Sequence, residues 1–120
     1  MASAEPTSDL LKRVTAAACK AIARHKDTAI QFGHAGASLG GDTVHLPAPP
    51  PQVNRAAITK LRGISDALAL RLRYHDEAVH KRHAPQGKEA RAIFETIEQV
   101  RCESLGAQRF SGVSDNLDAL

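Results

Sequence analysis

Aromatic side chains are scarce in this 120-residue chain: it has no Trp, one Tyr and three Phe. The core must therefore be built from Leu, Ile, Val and Ala, small aliphatic groups that suit close-packed helices. The same scarcity removes the stacking platforms on which single-stranded nucleic acids are held. Cysteine is nearly missing too. Cys19 and Cys102 stand far apart, each inside a helical pattern and without metal spacing, and read as reduced, small apolar residues. There is no Cys-x-x-Cys, and no glycine-rich run ends in Gly-Lys-Ser/Thr, which excludes a phosphate-cradling loop. No apolar run approaches the ~20 residues that a bilayer-spanning helix needs, and Met1 to Ser8 is polar and unlike a signal peptide. The expectation is a cytoplasmic protein.

Charge is present but uneven. The formal net charge is +3. Between Arg55 and Arg91, nine Lys/Arg face four Asp/Glu, a local net of +5 that leaves the rest of the chain at −2. A basic middle attracts phosphates, carboxylates or an acidic protein surface. It is too mild to define a nucleic-acid face.

Hydrophobic periodicity organises most of the chain. Leu11, Val14, Ala18, Ala21 and Ile22 recur at helical spacing, predicting a helix over 9–25 that Thr7 or Ser8 would cap, after a flexible lead-in over 1–8. Ile30 and Phe32 then alternate with polar or small residues, as do Val44 and Leu46. The four glycines between them, in G-H-A-G-A-S-L-G-G-D, predict a two-stranded hairpin over 28–46 with a wide turn. L-P-A-P-P-P-Q-V-N, residues 46–54, reads as a stiff extended connector. Beyond it lies a helical core over 55–107. Asn54 caps its first helix, about Arg55 to Tyr74, in which Gly63 marks close contact with another helix. From Lys88 to Leu105, Ala90, Ile93, Ile97, Val100 and Ser104 form one stripe, expected to face inward, and Gly106 resembles a C-cap glycine. Residues 112–120 read as the start of a helix, as though the chain were cut from something longer. The fold class expected is mainly α, within α+β: a bundle of three to four helices with a small two-stranded hairpin after the first, in one domain over 9–120.

The stretch Y-H-D-E-A-V-H-K-R-H-A-P, Tyr74 to Pro85, carries three of the six histidines. On one continuous helix His80 lies ~140° from His75, with His83 between them, a poor match to the convergent ligands of a strong zinc or cobalt site. The bland reading explains more. Asp76 is a good N-cap for a short helix running to His83, and His75 sits at the junction with the helix before it. A metal-handling reading, with Co²⁺ presented through His75, His80 and His83 plus Asp76 or Glu77, stands as the alternative. No residues form a supported catalytic constellation or a cofactor-binding site.

The ordered set L-P-A-P-P, D-A-L-A-L-R-L-R-Y-H-D-E-A-V-H-K-R-H-A-P, G-K-E-A-R-A-I-F-E-T-I-E-Q-V-R-C-E-S-L-G-A and F-S-G-V-S-D-N-L resembles the amino-terminal region of the CobT family, subunits of the aerobic cobaltochelatase. The likeness runs from about Asp9 to Leu120 and is densest from Leu68 to Leu117. It implies membership of a three-component, ATP-dependent ligase that inserts Co²⁺ into hydrogenobyrinic acid a,c-diamide during cobalamin biosynthesis. A large subunit would bind the macrocycle, and an AAA+ subunit would hydrolyse ATP. Family members continue through an acidic stretch into a von Willebrand A-type domain, whose metal-adhesion residues have no counterparts here. The resemblance assigns no catalytic role to His75, Asp76, His80 or Glu98. The expected role is assembly: a fragment that is not catalytic alone and binds no cofactor, in a complex that uses Co²⁺ and ATP–Mg. Arg71, Arg73, Lys81 and Arg82 are the candidate contacts to the AAA+ or large subunit, or to the acidic segment downstream in the full-length chain.

Overall fold

The computed structural model describes residues 5–25 and 27–120; residues 1–4, half of the expected lead-in, lie outside the described residues. The elements are α1 (Thr7–Ala23), β1 (Ala29–Gly33), β2 (Ser38–Gly40), β3 (Thr43–Pro47), α2 (Arg55–Tyr74), α3 (Glu77–His83), α4 (Lys88–Arg109) and α5 (Ser111–Asp118). The chain is thus mainly helical, with five helices and a three-stranded mixed sheet among the described residues, more elements than the sequence pattern predicts.

α2 is the axis of the fold. Asn54 starts it as expected, its side-chain oxygen accepting from the Ala57 N–H at 2.8 Å. Leu61, Ala69 and Leu70 are buried along it, and α1, β3, α4 and α5 pack around it. The core joins these to Leu11, Cys19, Ile22 and Ala23 of α1, Val44 and Leu46 of β3, Cys102 of α4 and Val113 of α5. Two glycines let helices approach closely. A Cβ on Gly63 would overlap the Asn116 backbone of α5, and one on Gly106 would overlap the Leu70 side chain. The close contact expected at Gly63 is therefore present. Gly106 is not a C-cap: it is buried within α4, and the helix runs on to Arg109. Leu70 occupies the place of the missing side chain.

The sheet differs from a simple hairpin. Its order is β1-β3-β2, with β1 parallel to β3 (Ile30 opposite Val44, Phe32 opposite Leu46) and β2 antiparallel to β3 (Leu39 opposite Val44). The glycine-rich stretch is therefore not one wide turn. Within it Ser38–Gly40 forms a strand, and the tight link Gly41-Asp42, with Gly41 at φ 61°, closes the hairpin to β3. β3 then has one edge taken, and β1 pairs with the other. The parallel ladder is bracketed by Ala29 N–H to Asp42 C=O and Ala48 N–H to Gly33 C=O, both 3.0 Å. Val44 and Leu46 turn into the core, as their alternation predicts.

Two further expectations change. Thr7 and Ser8 lie inside α1, while Pro6 occupies its N-cap position without a side-chain cap bond. On α4 the apolar stripe faces outward: Ile93, Ile97 and Val100 are 62%, 61% and 56% exposed. The inward face is instead polar or small, with Glu98, Gln99, Cys102 and Gly106 against α2 and the Gln99 amide donating to the Ala67 carbonyl at 3.3 Å.

Candidate functional site: an ionic knot at the α2–α3–α4 junction

The histidine segment folds as two helices with a sharp joint. His75 ends α2, its N–H donating to the Arg71 carbonyl at 3.0 Å. Asp76 begins α3, its Oδ1 accepting from the Val79 N–H at 3.1 Å. The cap read from the sequence is present. The joint lays α3 against α4 and brings imidazoles and carboxylates from three helices together.

His75 is the hub, with its side chain only 8% exposed. Nδ1 lies 2.9 Å from Glu98 Oε1 and Nε2 lies 2.8 Å from Glu77 Oε2. A carboxylate therefore stands at each ring nitrogen, one from α3 and one from α4. Arg71 Nη2 approaches the same Nε2 at 3.4 Å, but its short bond, 2.8 Å, goes to Glu95 Oε2. His80 Nε2 bonds the other oxygen of Glu95. The His80 ring is buried, stacked on Phe94 at 4.4 Å between centroids and edge-on to His75 at 4.7 Å.

Glu98 anchors the far side. Arg101 grips both of its oxygens, Nε to Oε2 at 2.8 Å and Nη2 to Oε1 at 2.6 Å, and also donates to the Tyr74 carbonyl at 2.9 Å. The bonds from Arg101, then from His75, hold the Glu98 carboxyl well below the usual carboxylate range. His80 and Arg71 lower Glu95 in the same way, and His75 lowers Glu77. The Cys102 thiol, 3.6 Å from Glu98, is pushed up to about 11 by burial and by that negative charge. It stays protonated, which agrees with the inert reading and removes it as a nucleophile.

The structure brings together only part of the candidate metal set. His75 and His80 are neighbours, but each already holds carboxylates, and His83 is exposed on the last turn of α3. Among the described residues no group of three His, Cys, Asp or Glu side chains could hold a metal ion. Asp76 is occupied as a cap. Of the four candidate contact cations, Arg71 is tied to Glu95 with its side chain 15% exposed. Arg73 donates to the Ile22 carbonyl at 3.2 Å and lies over the Tyr74 and Phe110 rings. Lys81 and Arg82 are exposed. Reasoning from sequence missed Glu95 and Arg101, and named Glu98 only as a position without an assigned catalytic role. Their three-residue spacing on α4 was a signal, but the apolar stripe on the opposite face outweighed it.

Beside the knot, Lys81 of α3 and Lys88 and Arg91 of α4 rim an open groove of about 450 Å³, floored by Ala84, Ala92, Phe94 and His80. Glu77 and Glu95 also line it, but both are turned to His75, His80 and Arg71. What the fold and the junction define is a small helical module in which Arg71, His75, His80 and Glu98 are spent on the knot, while Lys81, Arg82, Lys88 and Arg91 face outward. The family model described as cobalamin biosynthesis protein CobT matches residues 5–120, and the chain belongs to this family. No solved structure matches it. No helix among the described residues is long and apolar enough to cross a membrane.

Proposed function

We propose that this chain is a docking domain of a cobaltochelatase subunit, which supports ATP-dependent insertion of Co²⁺ into hydrogenobyrinic acid a,c-diamide in the cytoplasm. The observation that carries this reading is the partition of charge at the α3–α4 corner. The largely buried Arg71, His75, His80 and Glu98 are paired with one another or with the half-exposed Glu77, Glu95 and Arg101 in a knot that joins three helices, while Lys81, Arg82, Lys88 and Arg91 remain exposed. A rigid corner with exposed cations and an apolar groove floor suits an acidic protein surface, with the charges steering encounter and the apolar floor giving the contact area. That surface belongs to the AAA+ subunit, the large subunit or an acidic segment of a full-length chain. Arg71 would contribute by holding the corner in shape, and Arg73 by tying α2 to the end of α1.

The test is a pull-down of this chain against the AAA+ and large subunits separately, with and without ATP. Retention on one of them, lost at raised salt, supports docking between subunits; no retention on either contradicts that and leaves the acidic segment of the full-length chain as the surface to be met. The metal-handling alternative would require His75 and His80 to give up Glu98 and Glu95. Titration with Co²⁺, watched for the visible bands of a tetrahedral complex, separates the two readings.

A further inference from the structure

The outward face of α4 carries a pattern that neither the knot nor the basic groove uses. Ala90, Ile93, Ile97, Val100, Ser104 and Ala107 follow one another at steps of three and four, the a/d spacing of a coiled-coil seam. Ile93, Ile97 and Val100 are among the most exposed large apolar residues of the described chain. They lie on the side of α4 opposite Glu98, Cys102 and Gly106, and the described residues leave more than half of each uncovered.

The spacing reads the same in both directions about the midpoint between Ile97 and Val100. Ile93 and Ser104 are equidistant from it, and so are Ala90 and Ala107. We infer that this face is a homodimer seam, on which α4 of a second copy packs antiparallel about a two-fold axis between Ile97 and Val100.

Three features favour a second copy over an unrelated helix. The seam is its own complement in size: the bulky Ile93 at one end meets the small Ser104 and Ala107 at the other. There a groove of about 180 Å³, walled by Leu117 of α5, is open to receive it. It also avoids charge repulsion. Thr96 and Glu103 lie on one flank of the stripe, Phe94 and Arg101 on the other. The antiparallel arrangement places Thr96 opposite Glu103 of the second copy and Phe94 opposite Arg101, so no like charges face. Finally, isologous pairing closes on itself and buries both stripes at once. α4 has 22 residues, about 33 Å of helix, so the contact falls in the small class under about 1,200 Å² in total. A contact of that size suits a weak, reversible dimer.

Sedimentation equilibrium of the chain at rising concentration tests the seam. The expected result is reversible dimerisation that Ile97→Glu shifts at least about tenfold toward monomer, a loss of 1.4 kcal/mol or more. Helix content, and the melting temperature at dilutions where the parent is monomeric, should not change, because residue 97 is exposed. Ile93→Glu, nearer the end of the seam, is the second variant should the first melt early. Orientation is read by mixing Ile93→Cys chains with Ser104→Cys chains under mild oxidant, the native thiols being buried. Antiparallel pairing gives mixed cross-links and few between two Ile93→Cys chains. A monomer up to about 1 mM, a dimer indifferent to both glutamates, or cross-links mainly between Ile93→Cys chains overturns the inference. A stripe reserved for a different protein would give the first of these.

Discussion

His75 Nδ1 stands 2.9 Å from Glu98 Oε1, tying the last turn of α2 to the middle of α4 through a side chain that is almost fully buried. These residues are 23 apart in the chain, and nothing local draws them together. Replacing His75 by Ala removes the hub, leaves Glu77 without its partner and leaves Glu98 dependent on Arg101 alone. The expected cost is about 2 kcal/mol, or about 8 °C in melting temperature. Lys81→Ala, on the exposed side of the same helix pair, should cost less than about 0.5 kcal/mol. Thermal melts of the two variants side by side check this. Equal, small effects would show that the knot is not holding the corner.

The pH dependence has a definite sign. Glu95 and Glu98 ionise more readily in the folded chain than at their ordinary value of 4.5. Their contribution to stability is therefore present above that value and is lost as pH falls through it toward the lowered folded values. Urea unfolding should show the midpoint falling steadily from about pH 5 to pH 3. Glu98→Gln should lower stability at pH 7 and flatten this slope. A Gln variant as steep as the parent would mean that other carboxylates carry the effect.

Asp66 acts in the opposite direction. It is fully buried, Asn116 donates to its Oδ2 at 2.8 Å, and burial raises its carboxyl above the ordinary 3.8. Its folded form holds a proton more tightly than its unfolded form, so it lowers stability as pH rises above that value. Asp66→Asn can still accept the bond from Asn116 and removes the buried charge. It should leave the chain as stable or more stable at pH 7, by up to about 1 kcal/mol. A loss larger than that in urea unfolding would show that the charge itself holds α5 to α2.

The two close-approach glycines make a ranked prediction. Alanine favours an isolated helix over glycine by about 1 kcal/mol. Both Gly63→Ala and Gly106→Ala should nonetheless destabilise, by about 1–3 kcal/mol, because the new methyl has no room. Gly63→Ala should be the worse. It meets backbone atoms of Asn116, whereas Gly106→Ala meets the flexible end of Leu70. Denaturant midpoints of the two variants decide the order.

The parts legible from sequence are those with a local cause. Asn54 and Asp76 announce the starts of α2 and α3, and the Val44/Leu46 alternation announces the buried face of β3. The sheet order was hidden because Ser38–Gly40 offers one apolar residue between small ones, so a strand there looks like more turn. The facing of α4 was hidden for a different reason. Hydrophobicity assigns the Ile93–Ile97–Val100 stripe to the core, but His75 offers the partner that lets Glu98 take the inward side, with Glu95 and Arg101 reaching Arg71 and the Tyr74 carbonyl from the edges of that face. The consumption of Arg71 and Arg73 rests on partners 24 and 51 residues away, which no local pattern displays.

The central claim is that the exposed cations of the α3–α4 corner dock an acidic surface of the chelatase while the buried ones only shape it. The most direct measurement is calorimetric titration of the chain into the partner subunit that retains it. The parent should be compared with the combined Lys81→Glu, Arg82→Glu, Lys88→Glu and Arg91→Glu variant, at two salt concentrations. Docking through these cations should leave the variant's affinity weakened at least about tenfold and make the parent's affinity fall with salt. Unchanged affinity in a folded variant, with no salt dependence in the parent, would contradict it.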